Sequence, residues 1–81
     1  MGRGLEHATE YRQLVALLKR ARLDAGMTQV QLADALRRPQ SYVSKIERAE
    51  RLIDPVELRQ ICRALGTDLG GVIDQWEKAL G

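Results

Sequence analysis

Gln40, Ser41 and Lys45 fall within six residues of one another in a short segment opened by Pro39. Their chemistry is hydrogen bonding rather than bond breaking. Glutamine can pair bidentately with adenine, lysine can reach the guanine acceptors, and serine can go to a base or a phosphate. Tyr42, Ser44 and Arg48 stand among them. A helix made only for packing has no use for so many polar side chains. A helix that lies in a DNA groove has. The simple alternative is a solvated polar helix face, which charged helices commonly present.

Reading bases requires that such a helix expose one side while the other rests on a scaffold helix. On a helical register Val43 and Ile46 point inward, while Gln40, Ser41 and Lys45 share the other side. Ahead of them, Thr28 with Gln31 three residues on forms a capping box, and Leu32, Ala33 and Leu36 supply the buried face of the preceding helix. Pro39 is expected in the first turn of the reading helix, where amides have no partner.

The remaining punctuation is helical throughout. From about Ala8 to Ala25, Tyr11, Leu14, Val15, Leu18, Ala21 and Arg22 recur at spacings of three and four, and Gly26 ends the run with a left-handed cap. Asp54, Pro55 and Glu57 open a fourth helix bearing Val56, Leu58, Ile61, Cys62 and Leu65, closed by Gly66. A fifth begins near Asp68, with Leu69, Val72, Ile73, Trp76 and Leu80 on its apolar side. No strand-like alternation appears. The expected fold is all-α, a single five-helix domain over residues 1–81 without repeats, with residues 1–7 flexible.

Composition narrows the function classes. At 81 residues, 44% hydrophobic and 30% charged, the chain suits one modest core. It has no apolar run long enough to span a membrane, and MGRGLEHATE lacks a signal-peptide core. Glu6 stands where a myristoylation signal wants Ser or Thr. The lone Cys62 cannot form an intrachain disulfide, which suits a reducing cytoplasm. On its apolar stripe it reads as a core residue rather than a nucleophile. His7 has no second histidine to share a metal, and no acidic pair suits acid–base work. Neither an enzyme nor a cofactor, metal or small-molecule site is expected. Net charge is only +2, yet residues 37–51 carry five cations against Glu47 and Glu50, whereas residues 66–81 carry three anions against Lys78. The positive charge gathers around the proposed reading helix.

The pattern resembles the Cro/C1-type helix-turn-helix family, also called the Xre family, of phage repressors and small bacterial regulators. Leu18, Arg22, Thr28-Gln29, Leu32-Ala33, the run PQSYVSKIE from Pro39 to Glu47, and Leu65-Gly66 carry the resemblance, which covers about residues 14–73. It implies a lambda-repressor-like fold with the helix-turn-helix at helices 2 and 3. Gln40, Ser41 and Lys45 match base-reading positions, and Gln29 matches a DNA-backbone contact. Arg22 and Glu47 match a structural pair that joins helix 1 to the reading helix. Thr28, Arg38, Tyr42, Ser44 and Arg48 complete the expected backbone set, with a half-buried packing role as the alternative for Tyr42. Relatives often have glycine where Arg37 and Ala49 stand, which leaves the local turn geometry open.

The resemblance implies a sequence-specific DNA-binding transcriptional regulator, expected to be a cytoplasmic repressor in the absence of an effector domain. A single unit buries little surface, so a homodimer on a palindromic operator in double-stranded DNA is expected. Val72, Ile73, Trp76 and Leu80 on the C-terminal helix (68–80) are the candidate seam, with packing of Trp76 on Tyr11 or Leu14 as its monomeric counterpart. The alternative function is an antitoxin or other protein-interaction module that masks a partner protein.

Overall fold

A computed structural model describes residues 2–81, with side chains from Thr9 onward. The expectation for residues 1–7 and the reading of His7 fall outside the residues described in full. The order is α1 (Gly2–Asp24), α2 (Gln29–Leu36), α3 (Gln40–Glu47), α4 (Pro55–Leu65) and α5 (Leu69–Leu80), an all-α fold. Among the described residues no helix is long and apolar enough to cross a membrane.

Side-chain caps account for the starts of α2, α4 and α5. Thr28 Oγ1 accepts from the Gln31 amide at 3.1 Å, and Gln31 Oε1 accepts from the Thr28 amide at 2.8 Å. Asp54 and Glu57 repeat the reciprocal pair at α4, at 2.7 and 3.0 Å. Asp68 caps α5 through the Gly71 amide. Each cap satisfies first-turn donors that the helix itself cannot. Pro39 is displaced by one position from its expected place: it is the N-cap of α3, extended at ψ 155°, and the helix begins at Gln40.

Two helix ends settle the open turn geometry. Arg37 after α2 and Ala49 after α3 both adopt left-handed conformations, with φ of 58° and 59°. Glycine is the usual occupant, and a side chain there costs about 1–2 kcal/mol. What holds them is the wrap-around hydrogen bonding that follows each helix. Arg38 N donates to Ala33 O at 2.9 Å, and Glu50 N donates to Lys45 O at 2.8 Å. The carbonyls left open at the helix ends thus gain partners, which offsets the strain.

The core joins Leu14, Val15 and Leu18 of α1 to Leu32 and Ala33, to Tyr42, Val43 and Ile46, to Leu58, Ile61, Cys62 and Leu65, and to Val72. Helix α1 packs against α3, α4 and α5, while α2 lies across α3 and α4. Two apolar expectations need correction. Val56 is 64% exposed, because it sits two residues before Leu58 and so about 200° round α4 from the stripe 58-61-62-65. Val72, expected in a dimer seam, is buried in the protomer's own core. Trp76 and Ile73 pack on that core from its edge, and the Trp76 indole donates to Glu10 O at 2.9 Å.

Replacing Ala49 with glycine should relieve the left-handed strain at small cost in unfolded-chain entropy. Urea titration is expected to show a gain of up to about 1 kcal/mol, as a raised midpoint with an unchanged slope.

Candidate nucleic-acid interface

Helix α3 is fixed from behind by an ion pair. Arg22 Nε donates to Glu47 Oε2 at 2.6 Å, and its Nη2 donates to Glu47 Oε1 at 3.0 Å. The two side chains are only 8% and 7% exposed. The remaining guanidinium arm donates to Met27 O at 2.8 Å, so one arginine of α1 holds both the last residue of α3 and the turn that leads into α2. Burial raises the Glu47 carboxyl. Hydrogen bonds from Arg22 and Gln29 and the guanidinium charge more than offset it, and the group ends below the usual carboxylate range.

From this anchor a hydrogen-bonded chain runs to the surface. Gln29 Nε2 donates to Glu47 Oε1 at 2.9 Å, and Gln29 Oε1 accepts from Gln40 Nε2 at 3.0 Å. The side chain at the start of α3 is therefore oriented by the first residue of α2. This restricts its rotamers before any ligand arrives, a form of preorganisation that lowers the entropy cost of binding. Gln29 combines this role with its place at an α2 N-terminus, where amides and the helix dipole favour an anion.

At 100° per residue the faces of α3 divide cleanly. Tyr42, Val43, Ile46 and the side chain of Glu47 are turned inward, while Gln40, Ser41 and Lys45 are exposed together on the outside. Ser44 is partly covered, and its hydroxyl donates to Ser41 O at 3.2 Å. Arg48 follows the C-terminal end of α3 and is engaged with Glu50 at 3.1 Å, both exposed. Solvent-exposed pairs of this kind are weakly held and readily exchanged for another anion. Thr28 is committed as a cap, which leaves only its hydroxyl hydrogen for a phosphate.

Tyr42 takes the packing alternative. Its ring is buried, its hydroxyl donates to Glu57 Oε2 at 2.9 Å, and the guanidiniums of Arg38 and Arg51 lie 4.6 and 4.7 Å from its centroid. Glu57 also accepts from Arg51 at 3.0 Å. The amide of Asp54, then the Tyr42 hydroxyl and Arg51, keep the Glu57 carboxyl below its ordinary range against the opposing effect of burial. Arg51 and Glu57 were not singled out from the sequence. Only the capping role of Glu57 was legible there, since the contacts to Tyr42 span the loop between α3 and α4.

A helix-turn-helix family model matches residues 13–76 of this chain. The chain belongs to the XRE family of Cro/C1-type helix-turn-helix domains. An XRE-family-like protein from Pseudomonas syringae pv. tomato is 41% identical, with 99% of this chain and 98% of that one covered and a TM-score of 0.88. The clp gene regulator ClgR of C. glutamicum is 29% identical over 89% of this chain and 94% of its own, with a TM-score of 0.79. The restriction-modification controller protein C.Esp1396I is 27% identical over 88% and 93%, with a TM-score of 0.80. No curated protein sequence matches the chain. By their descriptions ClgR is a gene regulator and C.Esp1396I a controller protein.

Burial, then Asp68, pushes the Cys62 thiol up, the opposite of what an activated nucleophile needs. Among the described residues no group of His, Cys, Asp and Glu could hold a metal ion.

Glu47→Gln keeps the side-chain volume but strands the Arg22 charge. A loss of about 3–5 kcal/mol is expected, against about 4–12 kcal/mol for a whole domain of this size. Because the folded carboxyl lies below its unfolded value, the pair's contribution is full above about pH 4.5 and fades as pH falls through the lower folded value. Circular-dichroism unfolding across pH should show that acid loss in the native chain, and a smaller acid loss in Glu47→Gln.

Proposed function

We propose that this domain is a sequence-specific transcriptional regulator that places α3 in the major groove of double-stranded DNA. The observation that carries this reading is the outward set Gln40, Ser41 and Lys45 on a helix whose inner face is locked through Glu47 to Arg22. Gln40 and Lys45 supply the donors and acceptors for adenine and guanine edges, with Ser41 between them. Gln29, Arg38, Ser44 and Arg48 flank this face as contacts to the sugar-phosphate strands. Occupancy of a promoter by itself blocks transcription, so repression is the direct outcome of such binding. The site of action would be the cytoplasm, where the DNA is accessible.

The reading extends to a homodimer on a palindromic operator, because one unit offers too little surface for specific binding. The seam we propose differs from the α5 stripe read in the sequence. Ile73 and Trp76 face an apolar cleft of about 390 Å³ that is also walled by Tyr11, Leu14 and Leu69 of α1 and α5, by Leu52 and Ile53 ahead of α4, and by Pro55 at its start. Leu52 is 69% exposed at its rim. A second copy of the chain is the occupant that the operator geometry calls for. A masked protein partner, as in an antitoxin, would use the same cleft.

Selection of bound duplexes from a random pool, followed by gel shifts, tests the reading of bases. Lys45→Ala and Gln40→Ala should fold normally and lose at least tenfold of the preference for selected over scrambled duplex. Gln29→Ala should weaken both, and also relax choice at the base read by Gln40. Unchanged preference in all three would refute the assignment. For the seam, sedimentation equilibrium of Leu52→Asn should show dimer dissociation raised about tenfold or more. A native chain that remains monomeric on DNA, with one half-site protected, would remove the dimer from the account.

A further inference from the structure

The two edges of the outward face of α3 are not alike. Gln40 lies at one edge, beside Gln29. Tyr42 lies two residues on, and hence about 200° round the helix, at the other edge. There its ring carries Arg38, from the turn before α3, and Arg51, from the loop after it. A helix seated in a major groove has a phosphate strand on each side, about 12 Å apart across the groove. Gln29 can meet only one of them.

The charges at the Tyr42 edge are unbalanced. One carboxylate, Glu57, serves two guanidiniums. Arg51 is bonded to it at 3.0 Å, whereas the Arg38 guanidinium approaches it only to 4.0 Å and makes no side-chain hydrogen bond among the described residues. The Arg38 and Arg51 side chains remain 45% and 37% exposed. A purely structural lock of Tyr42 would need one arginine at most. Holding two like charges against one ring costs repulsion that an external anion would relieve. Stacking also fixes the planes of the guanidiniums, which suits forked donation to phosphate oxygens.

We propose that Arg38 and Arg51, braced on Tyr42 and Glu57, form a second phosphate grip. They hold the DNA strand on the wall of the major groove opposite the one met by Gln29. Glu57 is here a positioning residue that sets Arg51, and Tyr42 the platform that aligns both arginines. The grip rests on the DNA-reading assignment above and adds to it a register: α3 is clamped from both flanks, so the depth and tilt of Gln40 and Lys45 are set before bases are sampled.

Fluorescence anisotropy of a duplex selected by the protein, titrated over a range of KCl concentrations, tests the grip. Each lost phosphate contact reduces the slope of log K against log salt by about 0.9. Arg51→Ala and Arg38→Ala should each reduce it by about that amount and weaken selected and scrambled duplexes by similar factors. Arg38→Ala keeps the test readable should Arg51→Ala impair folding, since the Arg38 side chain makes no hydrogen bond among the described residues and its backbone bond to Ala33 O survives the substitution. Arg51→Lys should keep the slope yet bind more weakly, because a point charge replaces the fork. Arg20→Ala and Lys78→Ala, exposed cations on α1 and α5, should change nothing. Native slopes in both arginine variants would overturn the grip and leave the reading of bases standing. Failure of the native chain to bind any duplex would overturn both.

Discussion

Arg22 and Glu47 are the one charged contact on which the other parts of the recognition surface depend. They are separated by 25 residues and joined by two hydrogen bonds in a nearly dry setting. Helices α2 and α3 are eight residues each, far below the length at which an isolated helix persists in water. Their stability is therefore tertiary. Hydrophobic packing of Leu32, Ala33, Val43 and Ile46 supplies most of it, but packing alone leaves a short helix free to rotate by some degrees. The forked arginine removes that freedom, because its geometry tolerates little misalignment. A buried pair is weak evidence for net stability; its worth here is orientation.

The same pair organises the surface by a chain of single hydrogen bonds. Glu47 holds Gln29, and Gln29 holds Gln40. Gln40, the side chain proposed to read a base, is thereby tied, through two intermediates, to the longest helix of the fold. On the opposite edge, Glu57 performs a comparable task for Tyr42 and Arg51 while also capping α4. In each case an acid that is satisfied inside the fold positions a polar or basic group outside it. Five of the thirteen cations, Arg37, Arg38, Lys45, Arg48 and Arg51, stand in or next to α3, although the net charge is only +2.

Much of this was legible in the sequence, and for identifiable reasons. The capping boxes at Thr28 and Asp54 and the left-handed closure at Gly66 are local, so spacing alone reveals them. The inward positions of α3 follow from helical period. Arg22 and Glu47 were legible through family resemblance, not through chemistry, because nothing in the chain announces a contact across 25 residues. The cluster around Tyr42 was missed for that reason: its members come from a turn, a helix, a loop and a cap. Val56 was misread because an apolar residue near a stripe was counted with it, although its angle excludes it. Val72 was counted among the seam candidates because the α5 stripe is wide; the stripe borders both the core, where Val72 lies, and a cleft.

The central claim is that the outward face of α3, framed by Gln29 on one flank and the arginine stack on the other, is the surface that meets DNA. Titration of isotope-labelled protein with a selected duplex, followed by amide and side-chain NMR shifts, tests it most directly. The account predicts large perturbations at Gln29, Arg38, Gln40, Ser41, Lys45 and Arg51, with the Arg22 guanidinium signals kept in their buried environment. Perturbations centred on the Trp76 cleft or on the exposed side of α1, with α3 unmoved, would contradict it.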